Sequence, residues 1–257
     1  GASAATAISK VVSWCILMTP YFRKKTLLTI RFRQFRPRWS DAKEVCAMGS
    51  ASFFRNGLGT LAGILLNRIA VGYGTSALAA INVANRITMF MTSACLGFGQ
   101  GFQPVCGFNY GAGLYRRVKD GFWFCVRVTT IFMLAVSVLG FVFAPQLVAV
   151  FRDDPEVVDI GTRALRFQCV TFCLQGWVVM SNMCQQTMGL TTPATFLAVA
   201  RQGLFFVPLV WLFSALWGLT GIEMTQTAAD LLTFLCAVPL QARVLRRLTW
   251  LEHKTTK

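Results

Sequence analysis

Seven long apolar runs constrain this chain more than any other feature. Their approximate limits are 2–22, 44–72, 76–106, 118–148, 155–189, 193–215 and 218–245. A helix that crosses a bilayer takes about 20 predominantly apolar residues, so each run is long enough. The longer ones imply tilt, or ends that reach past the hydrocarbon. Only 14% of the residues are charged and 55% are hydrophobic, whereas an average soluble domain carries about 25% charge. The expected fold is all-α: a polytopic membrane protein with seven transmembrane helices.

The connections orient the runs. Arg23, Lys24, Lys25, Arg31, Arg33, Arg36, Arg38 and Lys43 follow the first run. Arg116, Arg117 and Lys119 follow the third, and Arg243, Arg246 and Arg247 end the seventh. Alternation brings all three basic segments to one side and the one acidic connection, Arg152-Asp-Asp-Pro-Glu156, to the other. The positive-inside rule makes the basic side cytoplasmic. A net charge of +15 would suit nucleic acid, but its clusters flank apolar runs, so no nucleic-acid partner is expected. Segment 23–43, with Pro37 and Trp39, reads as a basic cytoplasmic linker drawn to anionic lipid. A regulatory partner site is the alternative.

Enzyme signatures are missing. The only histidine, His253, lies in the tail, and there is no HExxH and no pair of intramembrane carboxylates. The nine cysteines sit almost wholly within apolar runs and none has CxxC spacing. Cys169 and Cys173 share a helix face but lack two further ligands for zinc. They read as small hydrophobes, so no metal site is expected. Gly97-Phe-Gly-Gln-Gly101 follows an apolar helix, which is the wrong context for a nucleotide loop.

Charged side chains at membrane depth each cost about 2.5–3.5 kcal/mol when they face lipid. They should therefore turn inward and pair. Arg55 lies about eleven positions into the second run, roughly 17 Å deep at the helical rise. Arg86, Arg201 and Asp230 sit well inside the third, sixth and seventh runs. Asp230 is expected to neutralise at least one of these arginines. The pair either fixes helix register or forms a gate whose protonation releases the arginine. Among the amides Asn67, Asn82, Asn85, Gln100, Gln103, Gln185 and Gln186, most serve as interhelical glue worth about 0.6 kcal/mol each. The substrate-cavity or coupling candidates are Arg55, Asn82, Arg86, Gln100, Gln103, Arg201 and Asp230.

One stretch, Leu96 to Ala112, packs five glycines, a proline, two glutamines, an asparagine and a tyrosine into seventeen residues. Gly97, Gly99 and Gly101 are expected to let helices approach, and Pro104 to open the backbone. The stretch then acts as a hinge and inner cavity wall, with Phe98 and Phe102 on the wall. The first and last runs also echo each other at an offset of 220: Gly1 with Gly221, Lys10 with Asp230, Ser13 with Thr233, Trp14 with Phe234, and Arg23 with Arg243. A parallel repeat of this kind belongs to secondary transporters. One whole repeat plus the last helix of another is expected, in a piece of a longer polypeptide that opens at Gly1.

Gly99 to Pro104 reads Gly-Gln-Gly-Phe-Gln-Pro, and Gly107 to Ala112 reads Gly-Phe-Asn-Tyr-Gly-Ala. Both resemble the bacterial branch of the multidrug and toxic compound extrusion (MATE) family. In order along the chain, Ala4-Ala-Thr-Ala-Ile-Ser9, Ser52-Phe-Phe-Arg55, Leu65-Leu-Asn67, Ala77-Leu-Ala-Ala-Ile81, Arg201-Gln-Gly203 with Pro208, and Ala228-Ala-Asp230 extend the likeness. The resemblance implies an exporter of two six-helix lobes in the bacterial cytoplasmic membrane. It would be driven by a proton or sodium gradient with no bound cofactor. Residues 1–22 would be the last helix of the N-terminal lobe, 23–43 the interlobe linker, 44–247 the C-terminal lobe and 248–257 a cytoplasmic tail. The implied partners are small-molecule drugs or toxins, membrane lipid and the missing N-terminal lobe. The implied substrates are amphipathic and often cationic, although the positive interior argues against a purely electrostatic trap for cations. Lys10 departs from the amide common in the family, and the family's main coupling carboxylate would lie in the absent lobe. A lipid-linked precursor flippase and a non-transporting membrane remnant are the alternatives.

Overall fold

The structure, a computed structural model, describes residues 2–22 and 38–255. Most of the expected linker, with Arg23 to Arg36, lies outside the described residues, as does Gly1 of the internal echo. The chain divides into two compact units, Gly1–Glu44 and Val45–Lys257. In the first, α1 (Ala2–Phe22) is a single 21-residue helix. Its Ser13 and Thr19 hydroxyls donate to the carbonyls of Ser9 and Cys15 one turn back, at 2.8 and 2.9 Å. A hydroxyl satisfied in this way no longer needs water.

The second unit is a bundle of α2 (Trp39–Val71, entering from the first unit), α3 (Thr75–Gly111), α4 (Tyr115–Val142), α5 (Ala144–Phe151), α6 (Pro155–Thr187), α7 (Thr191–Val199) and α8 (Phe206–Thr255). A six-residue π-helical segment, Ala200–Phe205, joins α7 to α8. There is no strand among the described residues. Gly218, at φ 58° and ψ −129°, breaks α8 into two arms, 206–217 and 219–255. With α4 and α5 counted as one crossing, and α7 with the π segment and the first arm as another, the described helices make the seven expected spans.

Local chemistry explains where the helices stop. α3 runs past the expected end at 106 because its stop signal is Gly113, at φ 72°, and not Gly107. There Gly113 N donates to Tyr110 O at 3.1 Å and Leu114 N to Asn109 O at 2.9 Å, which satisfies two terminal carbonyls. The same Gly-Leu pair recurs after α6. Gly189, at φ 73°, donates to Gln186 O at 3.1 Å and Leu190 N to Gln185 O at 2.9 Å. At the other end of α6, Asp154 Oδ1 accepts from Glu156 N at 3.1 Å, and Pro155 starts the helix. The expected fourth run, 118–148, is divided: Pro145 starts α5 after a bend at Phe143.

α6 is the axis of the bundle and packs against α3, α4, α5, α7 and α8. Twenty of its 33 residues are buried, so it needs little lipid-compatible surface. Small residues allow this close packing. A Cβ on Gly161 would come within 2.9 Å of Val148, and one on Gly176 within 3.2 Å of the Thr130 backbone. Ala77, Ala80 and Ala84 of α3 are buried in the same core.

The bundle has a polar seam within its apolar core, and its outer surface is apolar. Gln168, Gln175, Ser181, Asn182, Gln185, Glu223, Asp230 and Gln241 are buried, whereas Phe53, Phe90, Phe108, Phe124, Ile131, Trp211 and Leu235 are exposed. A water-soluble domain rarely exposes apolar surface on this scale. Tyr115–Val142 and Thr191–Lys254, with mean hydropathies of 2.1 and 1.8, are apolar enough to cross a membrane on composition alone. The more polar α6 can cross because its neighbours cover it. Five cysteines, Cys95, Cys106, Cys125, Cys169 and Cys184, are buried free thiols and pack as small hydrophobes.

Candidate functional site

The site is assembled where the helix ladder is irregular. In the π segment one turn widens, which commonly happens where a side chain must be re-aimed. Arg201 sits at its start, and Gly203 faces Leu58 of α2, where an added Cβ would approach to 3.0 Å. Arg201 Nε donates to Asp230 Oδ1 at 2.7 Å, across to the second arm of α8. Gln226 Nε2, one turn before Asp230, donates to the same oxygen at 2.9 Å. Gln175 Nε2 of α6 donates to Oδ2 at 2.7 Å. Three donors therefore hold one carboxylate whose side chain is 5% exposed. Buried charges persist where they are paired and hydrogen-bonded in this way. The expected pairing of Asp230 with an intramembrane arginine is present, and Arg201 is the partner.

Arg55 of α2 is on the other side of Arg201. Its only side-chain hydrogen bond among the described residues is a long one, Nη2 to Ser52 Oγ at 3.5 Å. Ser52 also receives Gln186 Nε2 at 3.1 Å, which pins α6 to α2. Two adjoining recesses share Arg55, Asn56, Thr92, Arg201 and Gln202. The larger, about 600 Å³, is open and continues along Asn67, Asn82, Asn85, Thr88 and Gln226. The smaller, about 180 Å³, reaches inward to Leu96, Val178, Asn182 and Leu197. Behind them, Thr88 Oγ1 donates to Gln168 Oε1, and Gln168 Nε2 reaches Asn85 Oδ1 at 3.4 Å, so the α3–α6 seam is itself hydrogen-bonded.

The structure does not bring all the expected residues together. Arg55, Asn82 and Arg201 line the recesses; Asp230 lies behind Arg201, against a closed void. Asn82 gives its amide to Leu78 O at 2.9 Å. Gln100 is exposed and Gln103 half-buried, and neither lines a recess. They sit about one and two turns nearer the inner end of α3 than Leu96, the last α3 residue on the cavity. Arg86, one turn after Asn82, is exposed, lines neither recess and has no carboxylate partner among the described residues.

The glycine-rich stretch is also corrected. α3 continues as helix through Pro104, so the backbone does not open there. A Cβ on Gly97 or Gly101 would meet nothing within 4 Å; of these three Gly99 alone is closely faced, by the Met183 sulfur and by Met180 Cε at 2.9 Å, and farther along Gly107 faces Thr187 at 3.2 Å. Phe102 is a core residue, 4% exposed, and not a cavity wall. Sequence reading passed over Asn56, Gln202 and Gln226. The last two had a signal, since Gln202 follows Arg201 and Gln226 lies one turn before Asp230. It also passed over Glu223, buried two turns from Asp230, where Arg163 Nε reaches it at 3.7 Å while bonding Asp159 at 3.0 Å.

Residues 51–212, more than half of the chain, match the model of the MatE family. The chain belongs to the MatE family. Among MatE relatives, "Multidrug export protein MepA" of Staphylococcus saprophyticus is 26% identical over 249 residues, covering 97% of this chain and 55% of that protein. The protein of the same name from Staphylococcus aureus strain MSSA476 is 24% identical with the same coverage. The chain thus spans about half the length of the curated relatives it matches. A solved outward-facing conformation of a multidrug resistance MATE family transporter of the MOP superfamily superposes with a TM-score of 0.88 at 22% identity, covering 96% of this chain and 56% of that one. A MATE crystal structure in a bent conformation does so with 0.88, 22%, 98% and 56%. The likeness in fold covers nearly the whole of the chain.

Proposed function

We propose that this chain supplies one lobe of a secondary active exporter of amphipathic compounds. The other lobe would come from the rest of the same polypeptide. The observation that carries the reading is the open polar recess of about 600 Å³, backed by a buried ion pair, within a membrane bundle of the MatE family. A recess open on one side suits alternating access, in which a facing lobe completes and closes the cavity. A proton or sodium gradient is the proposed energy source, with no resident cofactor and no enzymatic step. Residues 1–22 would be the neighbouring lobe's last helix, 23–43 the linker and 44–247 this lobe. The bacterial cytoplasmic membrane is the proposed location, with the basic connections inside and lipid around the apolar exterior.

A second reading, a flippase for a lipid-linked precursor, is favoured by the two arginines in the recess. The test is the full-length polypeptide in vesicles with an imposed proton or sodium gradient. Gradient-dependent movement of amphipathic dyes supports export, and translocation of a lipid reporter without dye movement supports the flippase. Movement of neither, by protein that is folded and inserted, identifies a non-transporting remnant.

A further inference from the structure

We infer that the recess recognises an acidic group, a carboxylate, sulfonate or phosphate on an otherwise apolar molecule, and that Arg55 is its anchor. The inference rests on the export reading and names the substrate class of the same cavity. No Asp or Glu lines either recess among the described residues, whereas Arg55 and Arg201 line both. Asp230 accepts from Arg201, Gln226 and Gln175, and Arg55 forms no ion pair with it or with any other carboxylate among the described residues. Arg55 is left with Ser52 Oγ at 3.5 Å, too long to satisfy a guanidinium. A guanidinium away from bulk water gains most from a planar anion that takes two of its N–H groups at once. Arg201 has committed Nε to Asp230 and also lines both recesses. Asn56 and Gln202 flank the two arginines, and their amide N–H groups can complete the contacts to an acid's oxygens. Leu96, Val178 and Leu197 in the inner pocket offer an apolar seat for the rest of the molecule.

The acid could come from a soluble amphiphile or from a lipid headgroup, and the experiment separates them. The purified full-length protein in detergent is titrated with carboxyfluorescein, with rhodamine 6G as a cationic dye of similar shape, and with a fluorescent lysophosphatidic acid. Binding is followed by polarisation. The expected result is that one of the two acids binds at least tenfold more tightly than rhodamine 6G. Arg55→Gln should weaken that acid about tenfold or more without weakening the cation, and Arg55→Lys should retain most of the affinity. Preference for carboxyfluorescein assigns soluble amphipathic acids; preference for the lysolipid assigns headgroups. The inference is overturned if the cation binds as tightly as both acids, or if Arg55→Gln weakens acid and cation equally at an unchanged thermal midpoint. Gradient-driven transport of rhodamine 6G with no binding of either acid would leave export standing and remove only this inference. Binding and transport of none of the probes would remove both.

Discussion

Asp230 and Arg201 are one structural unit, but their two halves are unequally exposed. Asp230 is 5% exposed, whereas Arg201 is 25% exposed and borders the recess. Removing the arginine therefore strands a buried carboxylate, while removing the carboxylate leaves a cation that can turn toward the cavity. Breaking a buried pair from one side costs about 3–5 kcal/mol. Arg201→Gln should approach that figure, and Asp230→Asn should cost clearly less, since the amide still accepts from Gln175. Thermal unfolding of the two variants in detergent checks the order; equal losses would mean that the pair is not asymmetric. At the inner end, Lys119 Nζ bonds Glu252 Oε2 at 2.5 Å, and this hydrogen bond holds the Glu252 carboxyl below its ordinary value. A depressed carboxylate contributes stability above its unfolded-state pKa and loses it as pH falls through the lower folded value. At neutral pH that contribution is fully present, so Glu252→Gln should lower the thermal midpoint there, while the midpoint stays flat with pH around neutrality. It should decline on acidification below about pH 4.3, the ordinary range for Glu, with a smaller decline in Glu252→Gln.

At the scale of the elements, glycines divide into those that permit contact and those that face open space. A Cβ on Gly221 would run into the Phe213 carbonyl, a backbone group that cannot rotate away. Gly218 holds a positive φ that other residues enter at a cost of about 1–3 kcal/mol. Gly221→Ala should therefore disrupt the junction between the arms of α8, seen as loss of the monodisperse protein in size-exclusion chromatography. Gly101→Ala, with nothing within 4 Å, should leave the midpoint unchanged or raise it, by up to about 1 kcal/mol from helix propensity. If Gly101→Leu impairs transport while folding stays normal, the facing lobe and not this bundle supplies its neighbour. The break in helical geometry sits at the π segment and Gly218, where Arg201 and the α8 arms are set, and not at Pro104. A helix tolerates a proline when the freed carbonyl finds another partner or stays accessible, and nothing in the local sequence distinguishes the two outcomes.

For the whole molecule, the arrangement of charge predicts sidedness. Arg116, Arg117 and Lys119 lie in the first turns of α4, and Arg152 to Glu156 run from the end of α5 into the start of α6, at opposite ends of the bundle. In intact cells expressing an otherwise cysteine-free protein, a membrane-impermeant maleimide should label Asp153→Cys and spare Arg117→Cys until the membrane is opened. The reverse pattern would invert the orientation read from the basic connections. The polar interior adds a second whole-molecule property. Asn182 donates to Ala194 O at 2.7 Å and Gln185 to Gln241 at 2.9 Å, so α6 is tied to α7 and α8 by hydrogen bonds that find no competing water.

Hydropathy and the placing of charge along the chain were enough to specify the all-helical membrane fold, the number of spans and the interior pairing of Asp230. These follow from long-range averages and from a solvation cost that no arrangement avoids: about 20 apolar residues span, and a charge at depth must find a partner. The sequence also held the family likeness in the order of its short motifs. Three-dimensional packing settles which arginine Asp230 takes, that Gln100 and Gln103 lie off the cavity, and that Gly99 but not Gly97 or Gly101 is packed. Each of these depends on rotation about a helix axis and on the one-residue register shift of the π segment. Both place a side chain on one face or another without altering hydropathy, so neither leaves a trace in composition or spacing.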